Sequence, residues 1–407
     1  MAATRSKSIG GLLAAATASL LGQNAESAEV YGNNWSVDAS YLSYSEEDRV
    51  DVESYMIDVR GDMSDRDSIK LGVVLDTMTG STHTGAVQTS SVTTVTGTSG
   101  AGFTTSGEAK ALAPFEDTRL AVDMAWTHDF WRTFRVRPNA YVSVESDYEA
   151  LGGGITAEKD FFNKQTTLSL AFGGSTDKIA QLDGRTPVPG SDTADEDFAG
   201  EGRRETLDGV IGITHAVNPK TLMQLNLFYT VSEGYHTDPY KVVSVANEND
   251  IELTRIYESR PTERRRKGLF ASLVHELRAD RDTLALDYRY YTDGWGIDSH
   301  TVNLRYRYQL GSERFFLEPF GRYYRQTAAD FYVRNLATGE SVPRYVSADN
   351  RLARLRSTTY GMKLGVPLGQ GGILKLRAFR FEQRMKNAVF GENNATAYQI
   401  TYTKDFQ

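Results

Sequence analysis

The sequence predicts an all-β fold, a transmembrane antiparallel up-and-down barrel of about 16 strands. Three observations support this: apolar and polar residues alternate in many short segments, long connections fall on alternate links, and a secretion signal precedes the strands. Segment 302–310 shows the alternation, because Val302 and Leu304 share one parity while Arg305 and Arg307 share the other. Successive side chains of a strand point to opposite faces, so each strand offers one apolar and one polar face.

The composition excludes several classes of protein. The 407 residues carry a net charge of −8, which argues against a nucleic-acid binder because such proteins normally show a basic surplus. There is no cysteine, and therefore no disulfide and no thiolate metal site. No run of about 18 apolar residues is present, so no helix of the chain is expected to span a membrane. The 22 tyrosines and 18 phenylalanines suit the aromatic girdles of a membrane barrel.

The first 28 residues resemble a secretory signal peptide. Arg5 and Lys7 form a basic start, residues 9–21 are apolar, and small residues near Ala28 offer cleavage points. A short buried or surface helix is the alternative interpretation. The signal predicts export by cleavage of residues 1–28, with the barrel occupying residues 29–407 in the outer membrane of a Gram-negative bacterium.

The first seven strands follow from their apolar parity, and the sixth is placed at residues 148–161. Their outward sets are Trp35, Val37, Ala39, Tyr41; Tyr55, Ile57, Val59; Ile69, Leu71, Val73, Leu75; Leu120, Val122, Met124, Trp126; Val136, Ala140, Val142, Val144; and Leu168, Leu170, Phe172.

The later strands repeat the pattern, and the eighth, tenth and thirteenth are placed by the turns beside them. The outward sets are Met223, Leu225, Leu227, Tyr229, Val231; Leu284, Leu286, Tyr288, Tyr290; Val302, Leu304, Tyr306, Tyr308, Leu310; Tyr360, Met362, Leu364, Val366; Leu374, Leu376, Ala378; and Tyr398, Ile400, Tyr402, Phe406.

The connections alternate in length. Long polar loops are predicted at 80–114, 177–202, 235–263 and 330–351, and short turns near Ser64, Phe130, Asn163, Asn218, Ala279, Gly311 and Gly369. Short periplasmic turns and long extracellular loops are typical of outer-membrane barrels. Loop 80–114, rich in Thr, Ser and Gly, would gate the barrel if it folded inward.

Five stretches resemble one known family. They are YLSYSEEDRV (41–50), LDTMTGSTHTG (75–85), FEDTR (115–119), VESDY (144–148) and NKQTT (163–167). These resemble the Gram-negative family called domain of unknown function 3570, which consists of predicted outer-membrane barrels. The resemblance covers about residues 35–407 and implies fold and location, but no catalytic residues.

The polar parity predicts two charged walls inside the barrel. The basic wall comprises Arg289, Arg305, Arg307, Arg322, Lys363, Lys375 and Arg377. The acidic wall comprises Asp58, Asp62, Asp76, Asp123, Glu145 and Asp208. One interpretation is a field across a water-filled lumen, and the other is a network of salt bridges that closes it.

Arginines also cluster where long loops return to the barrel. These rim residues are Arg203, Arg204, Arg264, Arg265, Arg266, Arg351, Arg354 and Arg356. Guanidinium groups bind phosphate in bidentate fashion, so lipopolysaccharide phosphates are candidate partners. Pairing with acidic loop residues is the alternative.

No motif predicts catalysis, a cofactor or a metal centre. The six histidines are scattered, and no Gly-x-Ser-x-Gly elbow occurs. The acidic run between Asp192 and Asp197 lacks the spacing of a calcium loop and is interpreted as solvated. We therefore expect a protein that is not an enzyme.

These observations predict a porin-like channel for small solutes. The alternative is a closed barrel that binds partners through its extracellular loops or periplasmic turns. Expected partners are membrane lipid, lipopolysaccharide and the barrel-assembly machinery. That machinery generally reads a C-terminal aromatic residue, and this chain departs from the pattern because Phe406 is penultimate. The sequence leaves the oligomeric state open.

Overall fold

The structure, a computed structural model, describes most of the chain from residue 35 onwards. The described residues are 35–47, 49–87, 93–96, 102–105, 111–181, 183–195, 197–249, 251–277, 282–311, 314–369 and 371–406. The predicted signal at 1–28 lies outside them, as does much of the predicted gating loop. In these ranges no helix is long and apolar enough to span a membrane.

Sixteen consecutive antiparallel strands form a closed barrel, as the alternation predicts. They are β1 (Trp35–Glu46), β2 (Val50–Ser64), β3 (Asp67–His83), β4 (Leu112–Trp131), β5 (Phe134–Val144), β6 (Tyr148–Phe161), β7 (Thr166–Ile179), β8 (Gly202–Asn218), β9 (Thr221–Gly234), β10 (Glu263–Glu276), β11 (Thr283–Asp293), β12 (Asp298–Gln309), β13 (Phe316–Gln326), β14 (Arg354–Leu368), β15 (Gly372–Lys386) and β16 (Glu392–Phe406). The last strand pairs with the first, from Trp35 opposite Phe406 to Glu46 opposite Ala395. Closure leaves the barrel wall without an unpaired edge.

The predicted strand number and topology are confirmed, with one correction at the first long loop. β3 continues to His83 and β4 already begins at Leu112, so this connection is shorter than the predicted 80–114. The extra residues pair across the two strands, from Gly80 opposite Phe115 to His83 opposite Leu112. Polar Thr and Ser residues can also form the backbone hydrogen bonds that pair two strands. The polar composition of residues 80–114 therefore led to a loop prediction that began too early and ended too late.

The two ends of the barrel differ. At one end, which we call the short-turn end, every connection is short; the turn between β6 and β7 holds Asn163 and Lys164 at φ values of 54° and 67°. At the other end, which we call the long-loop end, the connections comprise four long loops and four short turns. The long loops fall on alternate links of the chain, as predicted.

The outer surface of the barrel is apolar. Leu225 and Leu227 of β9 are 41% and 48% exposed, while Gln224 and Asn226 on the opposite parity face inward. Exposed aromatic side chains such as Trp131 lie towards the short-turn end, and others such as Tyr323 lie towards the long-loop end. An apolar belt with aromatic residues at both margins matches the two interfaces of a bilayer.

Three of the long loops fold together above the barrel, and we call this assembly the cap. It consists of the described residues of loops 180–201, 235–262 and 327–353. Strand Val242–Ala246 pairs with Glu252–Tyr257 and with Leu336–Ala337 from another loop. A small core of buried apolar residues fills the cap: Val243, Ile256, Leu336, Val346 and Ala348. These loops thus bury apolar side chains of their own instead of extending into solvent.

Candidate functional site: lumen wall and loop cap

The seven predicted cations of the basic wall lie on the inward parity of β11 to β15. Register brings several of them together, since Glu318 of β13 lies opposite Lys363 of β14, which lies opposite Arg377 of β15. Adjacent strands are about 4.8 Å apart, so these side chains face the same zone of the lumen.

Three cations of the basic wall are paired with carboxylates. Arg307 lies 2.7 Å from Glu318, and Arg305 lies 3.3 Å from Asp287. Lys375 approaches Asp38 of β1 at 4.0 Å. Internal pairing thus neutralises part of this wall.

The other four have no ion-pair partner within the described part of the chain: Arg289, Arg322, Lys363 and Arg377. Three of them lie near aromatic rings that also face the lumen, and Lys363 Nζ is 5.8 Å from the ring centre of Phe316. The Arg377 guanidinium is 4.5 Å from the ring centre of Phe320, and Arg289 is 5.0 Å from that of Phe228. Such rings attract and orient a cation without cancelling its charge. The basic wall therefore carries a surplus of positive charge.

The predicted acidic wall does not form one continuous surface. Asp58 and Asp123 flank Lys70 at 3.3 and 3.5 Å, so a cation separates them. Asp208 accepts a hydrogen bond from Thr230 at 2.6 Å. Asp62 lies towards the short-turn end of β2, where it also takes part in a polar interaction.

The remaining two acidic residues lie near the long-loop end. Asp76 is buried and accepts hydrogen bonds from Arg119, one of them at 2.7 Å. Glu145 lies in the short turn between β5 and β6. Arg119 was missed in the sequence because a lone cation on the inward parity of β4 carries no distinguishing motif.

The inner wall of β5 to β8 is rich in glycine and contains a recess of about 220 Å³ lined by residues such as Asn139, Tyr141 and Asp208. A Cβ atom at Gly152 would lie 2.5 Å from the Tyr141 ring. Glycine at this position therefore allows the tyrosine to lie against the wall.

The cap spans the opening of the barrel. Its loop between β9 and β10 reaches the end of β3, where Lys241 Nζ donates to the carbonyl oxygen of His83 and the amide of Val242 donates to Thr84 at 2.8 Å. β3 and β9 are six strands apart in a ring of sixteen, so this loop crosses most of the mouth. On the far side, Tyr332 donates to the carbonyl oxygen of Asn387 in the turn between β15 and β16, at 2.9 Å.

A buried ion network joins two cap loops, and we call it the latch: Asp238, Glu258 and Arg260 from loop 235–262, with Asp349 and Arg351 from loop 327–353. Arg260 contacts both Glu258 and Asp349 at 2.7 Å. Arg351 closes the network by contacting Asp238 at 2.7 Å. Burial disfavours the charged form of Asp349. The neighbouring Arg351 and Arg260 nevertheless hold the pKa of the Asp349 carboxyl well below its usual range. Charges from two loops therefore stabilise one another inside the cap.

The predicted rim arginines separate into two groups. Arg203, Arg265, Arg354 and Arg356 are exposed. Arg204, Arg264, Arg266 and Arg351 instead lie inside the mouth or the cap, where Arg204 contacts Asp177 at 2.6 Å and Arg264 binds Asp293 and lies over Trp295. Neighbouring arginines on one strand point to opposite faces, so the eight arginines predicted near the rim do not share one surface.

The exposed group continues across neighbouring strands. Arg356 of β14 lies opposite Arg325 of β13 and Arg384 of β15, and Arg354 lies opposite Lys386. We call these five residues the outer basic row. Arg384 contacts Glu392 at 3.4 Å, so the row retains a surplus of positive charge.

The model of the family described as "Protein of unknown function (DUF3570)" matches residues 10–403. The chain belongs to this family. No curated protein sequence matches the chain. Membership agrees with the family predicted from the five sequence stretches.

Solved structures with a related barrel share little sequence with this family member. OpdK, an outer membrane protein of Pseudomonas aeruginosa, is 10% identical with a TM-score of 0.44, and the match covers 92% of this chain and 99% of that one. The siderophore receptor PirA of Acinetobacter baumannii is 10% identical with a TM-score of 0.43, covering 88% of this chain and 54% of the receptor. This chain thus spans about half the receptor's length. The CymD monoaromatic hydrocarbon channel is 12% identical with a TM-score of 0.40, covering 93% and 90%. We draw no functional conclusion from similarities this low.

Proposed function

We propose that the protein is an outer-membrane channel that passes small anionic solutes through its lumen. The observation that supports this best is the surplus charge of the basic wall, where four of seven cations have no carboxylate partner among the described residues. Arg and Lys side chains lining a pore stabilise an anion that sheds water and repel a cation. The lumen groups bind and guide a solute; they perform no bond chemistry.

We propose that the cap controls access to this lumen. Its loops meet across the long-loop end and are joined by the buried latch. In this proposal the cap is the outer gate, and a solute enters when the loops separate. This extends the predicted gating role from loop 80–114 to the three loops of the cap.

The test is single-channel conductance of the refolded protein in a planar bilayer, with ion selectivity measured from the reversal potential in a salt gradient. Wild-type protein should prefer anions. An Arg289→Ala/Arg322→Ala/Arg377→Ala variant should lose most of that preference because it removes three unpaired lumen charges. The matched control is Arg325→Ala/Arg356→Ala, which removes cations from the outer surface and should leave selectivity unchanged.

Two results would contradict the proposal. A folded, heat-modifiable barrel that stays electrically silent even after cleavage of the cap loops would exclude a channel. Openings whose selectivity is the same in wild type and the triple variant would exclude a role for the basic wall.

The second candidate function is a closed barrel that binds a partner through its loops. The folded core and latch of the cap favour it, because an ordered surface binds a partner with a smaller entropic cost than a flexible one. Folded barrels that show no conductance but still bind a defined surface ligand would support this alternative.

We also propose that the outer basic row binds phosphate groups of lipopolysaccharide. Guanidinium groups on adjacent strands offer several bidentate contacts to a phosphate. Barrels refolded into vesicles with lipid A should gain thermal stability over barrels in neutral lipid, and Arg325→Ala/Arg356→Ala should remove most of that gain. An equal gain in the variant would exclude the row as the binding site.

The proposed location is the outer membrane of a Gram-negative bacterium. The closed barrel with its apolar belt supports this location. In this orientation the short-turn end faces the periplasm and the long-loop end faces outward. Export by the predicted signal at 1–28 and insertion by the barrel-assembly machinery are part of the proposal; amino-terminal sequencing of the membrane-inserted protein tests the cleavage.

A further inference from the structure

Three carboxylates meet just beneath the cap. Asp117 lies on β4, and Glu145 and Asp147 belong to the short turn between β5 and β6. One oxygen from each residue lies within 4.8 Å of the other two. Two oxygens that bind the same Ca²⁺ at about 2.4 Å can be up to about 4.8 Å apart, so one ion can reach all three.

A buried oxygen without a donor lies in this cluster. Asp117 is 1% exposed, and its Oδ1 accepts a hydrogen bond from Ser146 at 2.6 Å. Its Oδ2 is buried and has no hydrogen-bond donor among the described residues. A buried carboxylate oxygen left unpaired is costly, so this atom points to a ligand that supplies positive charge.

Among the residues that the structure describes, the surroundings do not neutralise the cluster. The neighbouring cation, Arg119, is paired with Asp76, so four carboxylates share one guanidinium. With one oxygen of each of the three carboxylates within 4.8 Å of the others, their negative charges repel one another. A divalent cation would remove that repulsion.

We propose that Asp117, Glu145 and Asp147 bind a calcium ion at the base of the cap. The donors are all oxygens, which suits a hard cation and not zinc, and they come from flexible acidic side chains, which suits Ca²⁺ more than the strict octahedral demand of Mg²⁺. This site is separate from the acidic run between Asp192 and Asp197, which the sequence analysis compared with a calcium-binding loop.

The ion would connect the barrel wall to the cap. The carbonyl oxygen of Asp147 accepts a hydrogen bond from the amide of Ala180, at the start of one cap loop, at 3.0 Å. Tyr240 of another cap loop lies beside Asp147. The site stands on its own geometry and does not depend on transport through the lumen.

Terbium luminescence tests the proposal with the refolded full-length protein in detergent. Tb³⁺ replaces Ca²⁺ in oxygen sites and emits when a nearby tyrosine, here Tyr240, is excited. We expect saturable emission that Ca²⁺ displaces. An Asp117→Asn/Glu145→Gln variant should bind Tb³⁺ at least about tenfold more weakly. The control Asp195→Asn/Asp197→Asn changes two exposed acids and should bind like wild type.

Thermal unfolding separates lost binding from lost folding. Ca²⁺ should raise the melting temperature of wild type and leave that of the double variant unchanged, while in EDTA the variant should be at least as stable because the repulsion is gone. The single variant Asp147→Asn should show a weaker form of the same effect. Emission or calcium stabilisation that is equal in wild type and the double variant would overturn the proposal.

Discussion

The latch makes a quantitative prediction about the cap. In Arg260→Ala, the fully buried Glu258 loses its cationic partner, while Asp349 keeps Arg351. The Arg260 side chain is only 10% exposed, so solvent screens these interactions weakly. Removing one member of a buried ion pair costs about 3–5 kcal/mol, because the remaining charge stays buried and uncompensated.

We expect this loss of stability to increase the fraction of molecules in which the cap is open, while the barrel stays folded. About 3 kcal/mol corresponds to a change of roughly 100-fold in the open population, at about 1.4 kcal/mol per factor of ten. The assay is limited proteolysis with proteinase K, whose cleavage of the loops follows the open population when opening and closing are fast. Heat modifiability on a gel reports the barrel separately.

The matched control is Arg185→Ala in another cap loop. Arg185 contacts Asp183 at 2.7 Å, but the two side chains are 56% and 43% exposed. A surface pair of this kind contributes about 0–1 kcal/mol, so loop cleavage should change little. The double variant Glu258→Gln/Arg260→Met removes both charges and should be cleaved more slowly than Arg260→Ala. If Arg260→Ala resists proteinase K as well as Arg185→Ala does, the latch does not hold the cap.

Two further predictions concern the cap at low pH and the lipid-facing surface. Burial lowers the pKa of His236 to about 4, so the unfolded loop binds more protons between pH 6.5 and 4. The charged groups that face this histidine are Arg204, Arg264 and Arg266. The free energy of loop unfolding should therefore fall as the pH drops through that window. The fluorescence of Trp295, whose ring is 5.6 Å from that of His236, should report this change. The variant His236→Gln should flatten the pH dependence, and a variant profile identical to that of wild type would contradict the prediction. On β9, the lipid-facing substitution Leu225→Arg should lower the free energy of unfolding in lipid vesicles by about 2–4 kcal/mol. The lumen-facing substitution Gln224→Arg should lower it far less. Equal decreases in the free energy of unfolding would refute the assigned orientation.

Much of the fold could be predicted because it depends on a local rule. Alternation in segments such as 302–310 needs only neighbouring residues to be recognised, and it predicts both the strand and its lipid face. The same rule places Phe228 inside, between the outward Leu227 and Tyr229, so the aromatic partners of the basic wall could also have been found. The boundary at His83 was misplaced because backbone pairing does not require an apolar side chain.

The candidate sites were harder to predict because they combine distant parts of the chain. Arg260 and Asp349 are 89 residues apart and meet only because two loops fold on each other. Asp117 and Glu145 are likewise brought together by the pairing of β4 with β5. Nothing in the spacing of these residues resembles a metal motif or a loop contact.

The sequence by itself determined the strand number, the closed antiparallel wall, the lipid-facing parity and the family, because side-chain alternation and connection length are written along the chain. Only the tertiary structure decided which charged residues pair inside the lumen mouth, how the cap closes over the opening, and where carboxylates gather beneath it. Those features depend on distances between strands and loops far apart in sequence, and such distances exist only once the barrel has closed.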